Sequence, residues 1–179
     1  MWAKVESGSV TKVYARPTAI TIGDVNYPQN IMQMWSASEL EAIGIYEITT
    51  DSTNFKNQEY YNNTGITYTY DSGAVTGAYG TATAKDLDDL KTRHKVSINS
   101  QANVLLQKYD WYTLRAADGG TAIPSAVTTY KAAVRTKSNT MCIAVDNAAD
   151  VDALVALYAY NSDDPPTRSL GEFPDEPED

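Results

Sequence analysis

The 179-residue chain has one cysteine and one histidine. Cys142 finds no second thiol for an internal disulfide, which fits a reducing compartment. His94, standing alone, excludes any metal site that needs two imidazoles and leaves the common catalytic constellations short of a base. No apolar stretch approaches the roughly 20 residues of a membrane span. No basic leader with an apolar centre and small residues argues for export. Basic residues are scarce too: 14 Lys and Arg stand against 23 Asp and Glu, for a net charge of -9. A nucleic-acid surface needs a basic stripe to neutralise phosphates, and none is present. The chain is therefore expected to bind neither nucleic acid nor membrane.

The acidity is concentrated at one end. Residues 163–179 hold seven acids and one base, Arg168, a net of -6. The other 162 residues are almost balanced, at -3. This end carries prolines and few apolar groups to offset the entropy of ordering, so it is expected to be disordered in isolation.

The first half reads as β. Val10 to Tyr14 alternates with a period of two until Arg16-Pro17 breaks it. Thr18 to Ile22, a turn at Gly23-Asp24 and a return at Val25 to Tyr27 complete an expected antiparallel meander. Ser36-Ala37-Ser38-Glu39 has capping-box spacing for a short helix ending at Gly44, with a strand from Ile45 to Thr49. Tyr60 to Gly65 is punctuated like a hairpin, and Ile66, Tyr68 and Tyr70 share one face before a turn at Asp71-Ser72-Gly73. Five of the 13 tyrosines lie between Tyr60 and Tyr79, which suits a narrow sheet with one wet side.

From Thr83 the period lengthens. Leu87, Leu90, His94, Ile98, Ala102, Leu105 and Tyr109 recur at three- and four-residue steps, predicting a helix of about 25 residues that opens at Thr83 or Ala84 with Asp86, Asp88 and Asp89 in its first turns. Asp118-Gly119-Gly120 ends it, and Pro124 opens a second stripe through Val127, Tyr130, Val134, Met141, Val145 and Ala148. Asp150 is placed to cap a last short helix. The expected fold class is α+β: an N-terminal antiparallel β module over residues 1–80, a C-terminal antiparallel helical hairpin over 84–160 and an acidic tail over 161–179.

Chemistry is thin along the chain. His94 lies on the apolar stripe and reads as a packed side chain; a general base there would need a nucleophile and an acid brought from elsewhere. Cys142, beside Met141 and Ile143, reads as a small buried hydrophobe. Asp86, Asp88 and Asp89 lack the spacing of a calcium loop, and Gly77, Gly80, Gly119 and Gly120 form no phosphate loop. No catalytic residue, cofactor or metal is expected.

The most distinctive cluster runs from Leu105 to Arg115. As a structural element, Trp111 would plug the end of the hairpin while Asp110 and Arg115 tie its corner. On the facing helix, Tyr130 would lie on a neighbouring flank, with Arg135 in reach of Asp110. The same residues carry a resemblance. Leu105-Leu106, then Asp110-Trp111, Pro124 and Tyr130-Lys131-Ala132-Ala133-Val134-Arg135, resemble the C-terminal region of bacteriophage tail assembly chaperones and tail-fibre assembly proteins. The chain departs at Lys131, where that family more often has arginine, and in its longer Asp110-Trp111-Tyr112-x-x-Arg115 extension. Trp35 to Tyr46 also looks like the small β modules that begin such proteins. The resemblance covers residues 84–138 better than 1–48.

The resemblance implies a non-enzymatic protein that assists tail or tail-fibre assembly in the host cytoplasm by binding a phage tail or tail-fibre protein. The alternative it leaves open is a structural virion component, an adaptor retained in the tail. Self-association into a homo-oligomer also stays open. Asp110, Trp111, Arg115, Tyr130 and Arg135, with Tyr60, Tyr68 and Tyr70 on the β module, are the structural or partner-binding residues expected.

Overall fold

A computed structural model describes residues 1–177. Glu178 and Asp179 of the expected tail lie outside them. The fold is mixed α+β, a β sheet followed by helices, and it divides into two compact units, residues 1–83 and 84–179.

The first unit begins with β1 (Trp2–Glu6) and β2 (Ser9–Tyr14), joined through Ser7 and Gly8 at φ 51° and 76°. Two successive positive φ values make the tight turn whose twist matches antiparallel strands. A separate hairpin, β3 (Ile20–Ile22) and β4 (Val25–Tyr27), precedes two short helices, α1 (Ile31–Met34) and α2 (Ala37–Ala42). The Ser36 hydroxyl accepts from Glu39 N–H, and the Ser36 N–H donates to Glu39 Oε2 at 2.8 Å, closing the capping box. Gly44 then turns with φ 77°, where a Cβ would lie 3.0 Å from the Val5 carbonyl.

The chain continues through β5 (Ile45–Asp51), β6 (Tyr61–Asn62), β7 (Ile66–Asp71), β8 (Ala74–Tyr79) and β9 (Thr83–Ala84). Five strands form one sheet in the order β2-β1-β5-β8-β7. Its two outer strands, β2 and β7, approach each other, so the sheet is strongly curled. Alternation along each strand serves both faces. Tyr14, Ile45 and the partly buried Trp2 pack with Ile20, Ile31 and Leu40 on the helix-bearing face. Ala3, Ile48 and Val75 cluster on the other face with Val5, Val13, Tyr46, Tyr68 and Tyr70 against them.

Three expectations for this unit need correction. The module is not wholly antiparallel, because β5 and β8 pair in parallel from Ile48↔Val75 to Asp51↔Ala78. A period of two specifies which face a side chain takes, not which strand lies alongside or in which direction. The meander does not form either: β2 pairs with β1, while β3 and β4 make their own two-stranded sheet. The Tyr60–Gly65 segment is not a hairpin, since β6 pairs with β9 and β7 turns into β8 through Ser72 and Gly73.

The second unit contains α3 (Leu87–Gln107), α4 (Asp110–Ala117), α5 (Ser125–Asp146) and α6 (Val151–Tyr158). Asp86 caps α3 by accepting from Asp89 N–H at 2.9 Å, and Asp150 caps α6 through Ala153 N–H at 2.7 Å. Leu90, His94, Ile98 and Ala102 form the buried stripe of α3 at four-residue steps. Val127, Tyr130, Val134, Met141 and Val145 form that of α5. Lys95 reaches Asp146 and Asn99 reaches Ser138, so positions rise along α3 as they fall along α5. The predicted helix of about 25 residues is shorter and is followed by α4, a separate helix where a simple corner was expected.

The end of the chain also departs from expectation. Residues 161–177 are irregular yet laid against the helices. Asn161 organises the turn: its N–H donates to the Thr167 carbonyl, its Oδ1 accepts from Thr167 N–H, and its amide reaches Thr167 Oγ1 and Asp163. Tyr160 bridges to Arg168, and Leu170 is buried with its N–H on the Leu157 carbonyl. Composition underestimated this segment because Leu170 and Phe173, its two apolar side chains, both find cover.

Candidate partner-binding surface

The Leu105–Arg115 cluster sits where α3 gives way to α4. Asp110 opens α4, and its Oδ1 accepts from Lys131 Nζ at 2.9 Å. The lysine side chain is only 10% accessible, the aspartate 58%. Lys131 Nζ also donates to Thr113 Oγ1 at 3.3 Å. This strap ties the first turn of α4 to the side of α5.

The expected ties are different ones. Asp110 pairs with Lys131 rather than Arg115, and Arg135 does not reach this corner. Lys131 lies one helical turn nearer α4 than Arg135, so it takes the carboxylate first. Arg135 instead lines a shallow cleft of about 350 Å³ with Asn99, Asn103, Ser138 and Asn139.

Trp111 is not a buried plug. No residue of α4 is buried, Trp111 is 49% exposed and Leu114 is 67% exposed. Trp111 is nonetheless held in place. Its ring lies 3.7 Å from that of Tyr112, centroid to centroid, and the Arg115 guanidinium covers both at 4.7 Å and 5.1 Å. Such cation–π contacts orient a side chain with little cost in contact area. The Arg115 carbonyl accepts from Gly120 N–H at 2.9 Å, which fixes the end of α4.

Tyr130 is buried beneath this region, its ring edge-on to Tyr109 at 5.3 Å. Its hydroxyl has no hydrogen-bond partner among the described residues. Burial and the nearby Glu176 carboxylate push its ionisation upward from the usual range. Tyr109 connects the two aromatic groups, stacking on Tyr112 as well as on Tyr130.

The tyrosines of the β unit occupy a different setting. Tyr60 is buried. Tyr68 and Tyr70 are half-buried and pack on the Ala3–Ile48–Val75 cluster. Tyr68 faces Gly77 directly across β7 and β8, its ring filling the space the glycine leaves. Tyr70 and Tyr46 hydroxyls lie 3.3 Å apart, and this contact raises the Tyr46 ionisation above its usual range. These rings serve the sheet's own packing more than an open wet face.

The other chemistry-bearing residues are dispersed. His94 is buried on α3 with its ring 4.6 Å from that of Tyr158. Cys142 is half-buried, its Sγ 3.8 Å from Asn99 Oδ1, and burial with Asp146 nearby pushes its thiol ionisation upward. Among the described residues, no three or more His, Cys, Asp or Glu gather to hold a metal ion. No described helix is long and apolar enough to cross a membrane.

Sequence reasoning singled out α4 but not the arm that lies near it. Phe173 packs against Ala102, Tyr130 and Val134, and Glu176 pairs with Lys108. The available signal was Leu-Gly-Glu-Phe, an apolar pair spaced around a glycine inside an acidic run. Comparison of the chain with protein-family models, curated proteins and solved structures finds no match in any of the three.

Proposed function

We propose that this chain is a non-enzymatic protein that assists bacteriophage tail or tail-fibre assembly by binding a tail or tail-fibre protein through α4. In this reading α3 and α5 act as the arms of a helical hairpin, and α4 is the face they present. The observation that carries it is the exposure of Trp111 and Leu114 on a helix with nothing buried. Tryptophan and arginine are the side chains most enriched where protein interfaces gain their energy. Tyr112 and Arg115 already restrain Trp111, so little rotamer freedom remains to be lost on binding. The Asp110–Lys131 tie holds the helix that carries it. The motif resemblance over residues 84–138 supplies the partner class, and the protein acts in the host cytoplasm during assembly.

Co-expression with a tail-fibre protein of the same phage tests the reading. The Trp111→Ala/Leu114→Ser variant should reduce assembled fibre trimer to the level seen without the chain, with unchanged circular dichroism. Unchanged trimer yield would refute it. Stoichiometric copies in purified virions would reassign the chain to a structural component of the tail.

A further inference from the structure

Residues 170–177 form an arm rooted at Leu170. Leu170 is buried and its N–H is bound to the Leu157 carbonyl, which anchors the root. Gly171 follows with φ 72°, and the Lys137 ammonium occupies the place a Cβ would take while donating to the Leu170 carbonyl at 3.0 Å. Beyond that pivot the arm crosses the cleft between α3 and α5. Phe173 covers Ala102, Tyr130 and Val134. Glu176 pairs with Lys108 and accepts from the Tyr109 hydroxyl at 3.3 Å.

The contacts that seat the arm are imperfect. An apolar hollow of about 310 Å³ lies beside the Phe173 ring on the α3 flank, bounded by Ser100, Gln101, Val104 and Leu105. The Tyr130 hydroxyl, on a residue only 5% exposed, has no hydrogen-bond partner beneath the arm. The Lys108–Glu176 pair is half-exposed on both sides, the kind of ion pair that water readily replaces. An aromatic floor with a cationic rim is thus occupied by an acidic, aromatic segment that leaves the Tyr130 hydroxyl orphaned.

We propose that the α3–α5 cleft beneath the arm is a docking site for an acidic peptide of a partner protein, one carrying an aromatic side chain three residues before a carboxylate. Residues 172–177 are its resident stand-in and hold it closed until such a peptide displaces them. The charge pattern argues for this occupant: Lys108 and Lys137 flank the cleft, and the one segment seated there is acidic. This surface is distinct from α4 and stands whether or not the partner belongs to a phage tail.

A fluorescent peptide of residues 171–177, titrated into the full chain and followed by anisotropy, tests it. Phe173→Ala should bind the peptide at least about tenfold more tightly than the native chain, because a cleft open only a small fraction of the time has its affinity reduced by that fraction. Lys108→Glu added to Phe173→Ala should abolish the gain, and a scrambled peptide should bind neither chain. Glu176→Gln, altered at an exposed side chain, should shift binding in the same direction if Phe173→Ala folds poorly. Equal binding by the native and arm variants, or binding of the scrambled sequence, would overturn the proposal. A native dimer that Phe173→Ala dissociates would overturn it as well, assigning the cleft to the arm of a second copy.

Discussion

The Asp110–Lys131 tie gives a sharp test of what holds α4. Lys131 is almost wholly covered while Asp110 is more than half open to water. The two partners should therefore respond unequally to removal. Asp110→Ala leaves a covered ammonium with only Thr113 Oγ1, at 3.3 Å, to receive its charge. Breaking a fully buried pair costs about 3–5 kcal/mol, and an exposed pair contributes about 0–1. With one partner covered and one open, the expected loss is about 1–2 kcal/mol. Lys131→Met removes the covered charge and returns Asp110 to water, so its cost should stay within about 0.5 kcal/mol of zero. Adding Asp110→Ala to Lys131→Met should then cost almost nothing more. Urea unfolding followed by far-ultraviolet circular dichroism reads the difference. With an m-value of about 2 kcal/mol per molar, Asp110→Ala should lower the midpoint by roughly 0.5–1 M. A midpoint unmoved by Asp110→Ala, or one that moves equally in the Lys131→Met background, would refute the reasoning.

Three further outcomes follow from the packing and the charges. Leu154 on α6 is fully covered, so Leu154→Ala should cost about 2–5 kcal/mol and lower the thermal midpoint of the helical signal. Gly77→Ala would place a Cβ 2.8 Å from the Tyr68 ring and 3.0 Å from Ile66, so the β7–β8 pairing should weaken by about 1–3 kcal/mol, read by hydrogen exchange of Thr69 and Thr76 amides. The Lys108 ammonium lowers the Glu176 ionisation below the usual carboxylate range. A carboxyl lowered in the folded state contributes attachment that is present above the ordinary carboxylate range and lost as pH falls through its folded value. The arm should therefore loosen on acidification, seen as line narrowing of the Phe173 resonances, and Lys108→Gln should remove that pH dependence.

What the sequence revealed, and what it hid, follows from the range of each signal. The capping residues Ser36 and Asp150 were legible because a cap is satisfied within three residues, whereas Asp86, expected inside the first turn of a helix opening at Thr83 or Ala84, is itself the cap of α3. The stripes of α3 and α5 were legible because a period near 3.6 repeats through Leu90, His94, Ile98 and Ala102. β1 was overlooked, although Ser7-Gly8 is a two-residue turn between Trp2–Glu6 and Ser9–Tyr14. The parallel β5–β8 pair was not legible, since nothing local to Ile48 or Val75 states that they meet. Of the candidate residues, Asp110 and Trp111 drew attention by type, but their partners depended on which turn of α5 faced them. Lys131, set aside as a departure from a pattern, proved to be the residue that Asp110 holds.

Tyr109 brings these separate features into one physical account. Its ring stacks on Tyr112 at 6.4 Å and meets Tyr130 edge-on at 5.3 Å, while its hydroxyl donates to Glu176. The α4 face and the arm cleft therefore share one side chain at the end of α3. Two binding surfaces couple only if occupation of one changes the free energy of the other, and the coupling is then reciprocal. Here the shared element is specific: release of the arm removes the acceptor of the Tyr109 hydroxyl and the cover over Tyr130, while Tyr112 packs against Trp111 on the exposed face. A partner that reorders Trp111 acts on the same aromatic row that the arm covers. The three tyrosines and the tryptophan between residues 109 and 130 are thus better read as one continuous row of ring contacts, from buried Tyr130 to exposed Trp111, than as separate core and surface groups.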